Sequence, residues 1–153
     1  MTTQMTTTRS NLKLHRLQIT ALTVGMAALV WAVLRMTGVD LEVSWGPSTR
    51  KVDIVSVVFS ALVMALLAWA FLTTLERLAT SRRHSSGRPI NPSWIYTVAA
   101  STSLVLSLPS PIVQAVGWSD ALGLVLLHLT VGAVLIPGLR RTASKGQPRR
   151  AAR

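Results

Sequence analysis

The sequence predicts an all-α fold, an integral membrane four-helix bundle with its N-terminus and C-terminus in the cytoplasm. Three observations lead there. Half of the 153 residues are apolar, they gather in four blocks, and the basic residues lie almost wholly to one side of those blocks. The blocks cover residues 17–36, 54–75, 94–116 and 121–139. Each is close to the ~20 residues that a helix rising about 1.5 Å per residue needs to cross a hydrocarbon core of about 30 Å. Inside lipid every backbone polar group must be satisfied within the chain, which for such segments means helices. A soluble bundle would show a polar face on each helix, and these blocks show none.

Taken in order, residues 1–16 are Thr-rich and basic with little apolar surface, and are expected to be disordered. The first helix is expected over 17–36. It follows a basic segment as a signal peptide would, but Trp31 and Arg35 stand where a small-residue cleavage site should be, so it reads as an uncleaved span. Ala21, Gly25, Ala28 and Ala32 share one face and are expected to meet another helix, as are Ala61, Ala65 and Ala68 of the second. In the connection 38–52, Val39, Leu41 and Val43 alternate with Asp40 and Glu42 before Trp45-Gly46-Pro47. An ordinary loop is expected there. The alternative is a short strand or flap with Trp45 at the headgroup level.

The second helix is expected over 53–77, opened by Asp53 at the positive end of its dipole. Glu76 falls at its far end, beside Arg77 and Arg82. Residues 80–91 are polar and end in Asn91-Pro92, a helix start signal. The third helix is expected over 93–116, with Pro109 and Pro111 breaking or kinking its outer half. Ser103, Ser107, Ser110 and Gln114 follow 4-3-4 spacing and line one stripe, which Tyr96 and Ala100 extend. The fourth is expected over 120–139, started by Ser119 and Asp120. The bundle therefore occupies 17–139, and residues 140–153 form a basic tail expected to be disordered.

Thirteen of the sixteen Lys and Arg residues precede the first helix, separate the second from the third, or follow the fourth. Arg35, Arg50 and Lys51 are the remainder. Acids run the other way, with Glu76 alone among the thirteen. Positive residues are retained in the cytoplasm, which sets the orientation and puts a multi-pass protein in the cell membrane. Topology also accounts for the basic tail, so nucleic acid is not an expected partner. Expected partners are the lipid bilayer, anionic lipid at the tail, and a second copy or another membrane protein.

His128 is eight residues from Asp120 and twelve from Arg140, or about 12 and 18 Å along the axis, near the membrane midplane. A midplane ionisable group suggests either a functional site or an interhelical hydrogen bond. Beside the serine stripe it suggests a small polar pocket between helices three and four. The plainer alternative is that these hydroxyls bond back to their own helix. No cysteine is present, which excludes disulfides, thiolate metal sites and four-helix thiol oxidoreductases. A bis-histidine haem needs two membrane histidines, and small multidrug antiporters need a carboxylate in the first helix. Neither is found. Phosphate-loop, HExxH and Gly-x-Ser-x-Gly patterns are missing as well. No cofactor or metal is expected.

The runs Leu127-His128-Leu129-Thr130-Val131 and Val134-Leu135-Ile136-Pro137-Gly138-Leu139-Arg140 resemble a family of small four-span membrane proteins from actinobacteria. Ser107-Leu108-Pro109-Ser110-Pro111 and Leu75-Glu76-Arg77 fit it too. The resemblance implies four spans and no particular activity.

Three functions remain open at this level. The first is a non-enzymatic protein acting through a partner or as an oligomer. The second is an enzyme similar in size and hydrophobicity to small membrane terpene cyclases, acting on a prenylated substrate. Its acid would be Asp53, Glu76 or Asp120, with His128 a further catalytic candidate as a proton-handling group, and Trp31, Trp69 and Trp94 would stabilise a carbocation. The third is an oligomeric transporter, its path lined by Ser103, Ser107, Ser110 and Gln114.

Overall fold

The computed structural model describes residues 3–86 and 91–145. Helix α1 (Thr3–Met36) is followed by strands β1 (Glu42–Trp45) and β2 (Ser48–Lys51), then α2 (Ile54–Ser86). Helices α3 (Pro92–Ser107), α4 (Pro109–Gln114) and α5 (Trp118–Lys145) complete the chain. Four stretches are long and apolar enough to cross a membrane, at Leu14–Met36, Ile54–Ala79, Pro92–Gln114 and Trp118–Thr142. The protein is a multi-pass membrane protein. Four crossings bring both termini to one end of the bundle, the terminal end, and leave the β-strands at the other, the hairpin end.

The helices overrun the apolar blocks. Residues 3–16, expected to be irregular, continue α1, and α2 and α5 persist to Ser86 and Lys145. Once a long span is formed, each added residue gains a hydrogen bond without a new nucleation cost. Pro137 lies inside α5 without ending it. Residues 87–90 and 146–153, parts of the expected loop and tail, lie outside the described residues.

Capping follows the sequence at α2 and α5 but not at α3, where Asn91 precedes Pro92 yet its side chain accepts from the Ser93 hydroxyl at 2.7 Å and caps no backbone N–H. Asp53 Oδ1 accepts the backbone N–H of Ser56 at 3.0 Å and opens α2. Asp120 reaches back from the first turn of α5 to accept the N–H of Gly117 at 3.0 Å. Pro109 and Pro111 divide the third span as expected. Leu108 N–H bonds to Val105 O at 3.3 Å, and α4 restarts behind it.

The 38–52 connection is a β-hairpin rather than an ordinary loop. Glu42 pairs with Lys51 and Trp45 with Ser48, so Gly46-Pro47 is a two-residue turn. Gly46 has φ +62, and glycine at the first turn position suits the twist of paired strands. The side chain of Trp45 lies outside the described residues. Beyond β2, the other edge of β1 bridges the α4–α5 connection, with Val43 opposite Ala115 and Val116 N–H bonding to Glu42 O at 3.3 Å.

Two apolar cores stack along the bundle. At the hairpin end Ala27, Val57, Ala61, Leu124 and Leu127 enclose Leu41, which is 4 % exposed. Toward the terminal end Ala65, Leu72, Leu135 and Leu139 pack round Tyr96. Ala61 and Ala65 mark the contact face of α2 as expected. The stripe on α1 does not: Ala21 and Gly25 are exposed, and a side chain at Gly25 would meet nothing. Arg16, Thr20, Thr23 and Ala27 form the buried face instead. Close approach comes from α5, where a Cβ at Gly123, Gly132 or Gly138 would come within 3 Å of Leu41, Leu104 or Ile19.

Candidate functional site

The polar stripe of the third span is split: Tyr96 and Ala100, which extend it, pack into the terminal-end core, while most of its hydroxyls and Gln114 turn outward. Ser103, Ser110 and Gln114 are exposed, as are Ser101 and Thr102 before them, while Ser107 is half-buried. Gln114 Nε2 donates to Ser110 Oγ at 2.7 Å, and Ser107 Oγ donates to Leu104 O at 2.8 Å. His128 is half-buried on α5 with Nδ1 3.1 Å from Leu124 O of the same helix. These groups bond within their own helices, which is the plainer of the two arrangements the spacing allowed. Leu104 fills the notch at Gly132, one turn along α5 from His128, so the α3–α5 seam is apolar at that level.

The other sequence-predicted residues are dispersed. Asp53 is exposed at the hairpin end, and hydrogen bonds from the Ser56 hydroxyl and N–H hold its carboxyl below the usual aspartate value. A depressed carboxyl is a poor proton donor near neutral pH. Asp120 is buried and committed to the Gly117 cap. Trp31 donates its indole N–H to Val52 O at 3.0 Å, tying α1 to the end of the hairpin. Trp69 is half-buried in α2, roughly 22 Å along the axis from Ile54, and Trp94 is exposed two residues into α3. The three indoles are thus carried by three different helices, and that of Trp31 is committed to the hairpin.

Glu76 has a partner that sequence reasoning missed. Its Oε1 lies 2.6 Å from Arg16 Nη2, joining α2 to α1 across the terminal end. The Arg16 side chain is only 7 % exposed, against 31 % for Glu76. Thr20 donates to Arg16 O at 3.0 Å and Thr23 to Ile19 O at 2.8 Å, so the buried hydroxyls beside it are satisfied. Arg16 Nε and the Tyr96 hydroxyl are buried and find no hydrogen-bond partner among the described residues. The available signal was the 4-3-4 run of Arg16, Thr20, Thr23 and Ala27, a polar stripe in a helix that otherwise has none.

At the hairpin end Asp40 is paired with both Arg35 and Lys51, the latter at 2.9 Å, and Glu42 lies 3.7 Å from Lys51. These exposed pairs contribute about 0–1 kcal/mol each.

Residues 7–145 match the family described as a family of unknown function, DUF6069. The chain belongs to that family. The match runs through all four spans and the hairpin. The matched stretch of this chain includes the outward stripe, the Arg16–Glu76 pair and the bridged connection. No curated protein and no solved structure matches the chain. Among the described residues no group of three His, Asp or Glu side chains could hold a metal ion. The molecular activity of this small membrane protein is unknown.

Proposed function

We propose that the protein is a non-enzymatic component of the cell membrane that works as an assembly of its own copies, joined through the outward face of α3 and α4. One observation carries this reading. On the least apolar of the four spans Ser103 is exposed near the middle, where it would otherwise face hydrocarbon, and Ser110 and Gln114 are exposed in the last turn or so of the same span. Polar side chains in lipid are costly, and in associating helices they bond across the interface. Hydroxyls and carboxamides both donate and accept, so the same patch on a second copy complements it under two-fold symmetry. The cyclase reading is less favoured, since its candidate carboxylic acids cap helices or pair with arginine.

The absence of cysteine makes the test clean. Ser103→Cys or Ser110→Cys, oxidised in native membranes, should give a disulfide-linked dimer. Met64→Cys, exposed on the lipid side of α2, should not. Equal cross-linking at all three positions would mean random collision and sink the assembly.

The orientation is part of the same proposal. Thirteen basic residues against three support cytoplasmic termini. Reporter fusions at Thr7, Ser86 and Ala151 should all read as cytoplasmic, and those at Pro47 and Trp118 as external. A C-terminal fusion reading external would reverse it. The Ala-, Val- and Arg-rich composition supports an actinobacterial source.

A further inference from the structure

A groove of about 500 Å³ opens on the lipid-facing side between α1 and α5, at the terminal end. Its walls divide into two zones. His15, Gln18 and Arg141 form the rim, and Ile19, Leu22 and Val134 form the apolar part. Depth matches this division. His15 and Arg141 each lie one residue inside the ends of their spans, at Leu14 and Thr142, while the apolar residues are a turn or more deeper. Two further lining residues shape the groove. Gly138 lets α5 approach Ile19, where a Cβ would come within 2.8 Å of Cγ2. Pro137 beside it presents a flat ring and no N–H.

We propose that this groove is a binding site for one anionic phospholipid, its phosphate against His15, Gln18 and Arg141 and an acyl chain along Ile19, Leu22 and Val134. The order of polar and apolar surface along the groove is that of a lipid standing in its leaflet. Charge complementarity selects the anionic class. Arg141 is also engaged within the chain, but a guanidinium has five N–H donors and can serve a phosphate as well. A phosphate alone would leave the apolar zone uncovered, so the occupant is a lipid and not free phosphate. This site is local, unlike a general attraction between the basic tail and the membrane.

Native mass spectrometry of the delipidated full chain in detergent, given equal amounts of phosphatidylglycerol and phosphatidylcholine, tests it. One phosphatidylglycerol per chain should be retained in preference to phosphatidylcholine, and excess inorganic phosphate should not displace it. Arg141→Gln should weaken retention about fivefold, the worth of one cation beside an anionic headgroup, and Arg140→Gln should leave it unchanged. Leu22→Trp, at an exposed position that folding does not need, should block the acyl zone and abolish retention. Equal losses for Arg140→Gln and Arg141→Gln would show a diffuse attraction and overturn the site. So would unchanged retention in Leu22→Trp, displacement by phosphate, or indifference to headgroup charge.

Discussion

Glu76→Ala is expected to destabilise the bundle by about 2 kcal/mol, and the double variant Arg16→Met, Glu76→Met to recover most of that loss. The reason is the asymmetry of the pair. Removing one partner of a buried ion pair leaves a charge without compensation, at a cost of about 3–5 kcal/mol when both are buried. Here only Arg16 is fully enclosed, and Glu76 keeps 31 % exposure, so water screens part of the penalty. Arg16 Nε already lacks a partner among the described residues, which leaves the guanidinium few alternatives once Glu76 is gone. In the sequence Glu76 stands beside Arg77 and Arg82, and a surface pair of that kind contributes only about 0–1 kcal/mol, whereas the structure pairs it with the buried Arg16. Denaturant titration in detergent, followed by tryptophan fluorescence, measures the difference. A single variant as stable as the parent would show that the pair does not hold α1 to α2.

The second large effect is expected at Gly123. Any side chain there places its Cβ 2.5 Å from Leu41 Cδ2 and 3.3 Å from Leu34 Cδ1. Leu41 is 4 % exposed inside the hairpin-end core, so it cannot swing away without opening that core. Alanine would offset part of the clash through a helix propensity gain of up to about 1 kcal/mol, so valine is the sharper probe. Gly123→Val should cost about 2–3 kcal/mol, as overpacking of a tight contact does. It should also loosen the hairpin and raise trypsin cleavage after Arg50 and Lys51. Combined with Leu41→Ala it should cost less than the two separate losses together, since both act on one contact. Additive losses and unchanged cleavage would mean that Leu41 does not anchor the hairpin.

What the sequence revealed was what lipid makes obligatory. Span lengths, the Asp53 cap and the break at Pro109 follow from backbone hydrogen bonding, and all three are found. Which face of each helix points inward was harder to read. In water an amphipathic pattern reports the core, but in lipid both sides of α1 are apolar, and the stripe of Ala21, Gly25, Ala28 and Ala32 carried no direction. The polar residues did carry one, with opposite meanings. Arg16, Thr20 and Thr23 turn in, where a partner and backbone carbonyls receive them. Ser103, Ser110 and Gln114 turn out. Nothing in the spacing distinguishes these cases, because each stripe is a 4-3-4 run. The hairpin was legible in principle from the alternation at 39–43 followed by Gly46-Pro47, a turn pair with the right chirality.

The bridge between β1 and the α4–α5 connection bears on how the protein is made. As the chain emerges, the first two spans and the hairpin are complete long before Ala115 and Val116 are synthesised. Until then one edge of β1 is an open template, its Glu42 carbonyl without the N–H that finally satisfies it. The late-arriving segment closes that edge, so the hairpin end of the bundle is sealed only once the third span is in place. The hairpin is thus paired along both edges of β1 only after the third span has been made, and before the fourth, so a chain stopped short of Ala115 would keep one strand edge open.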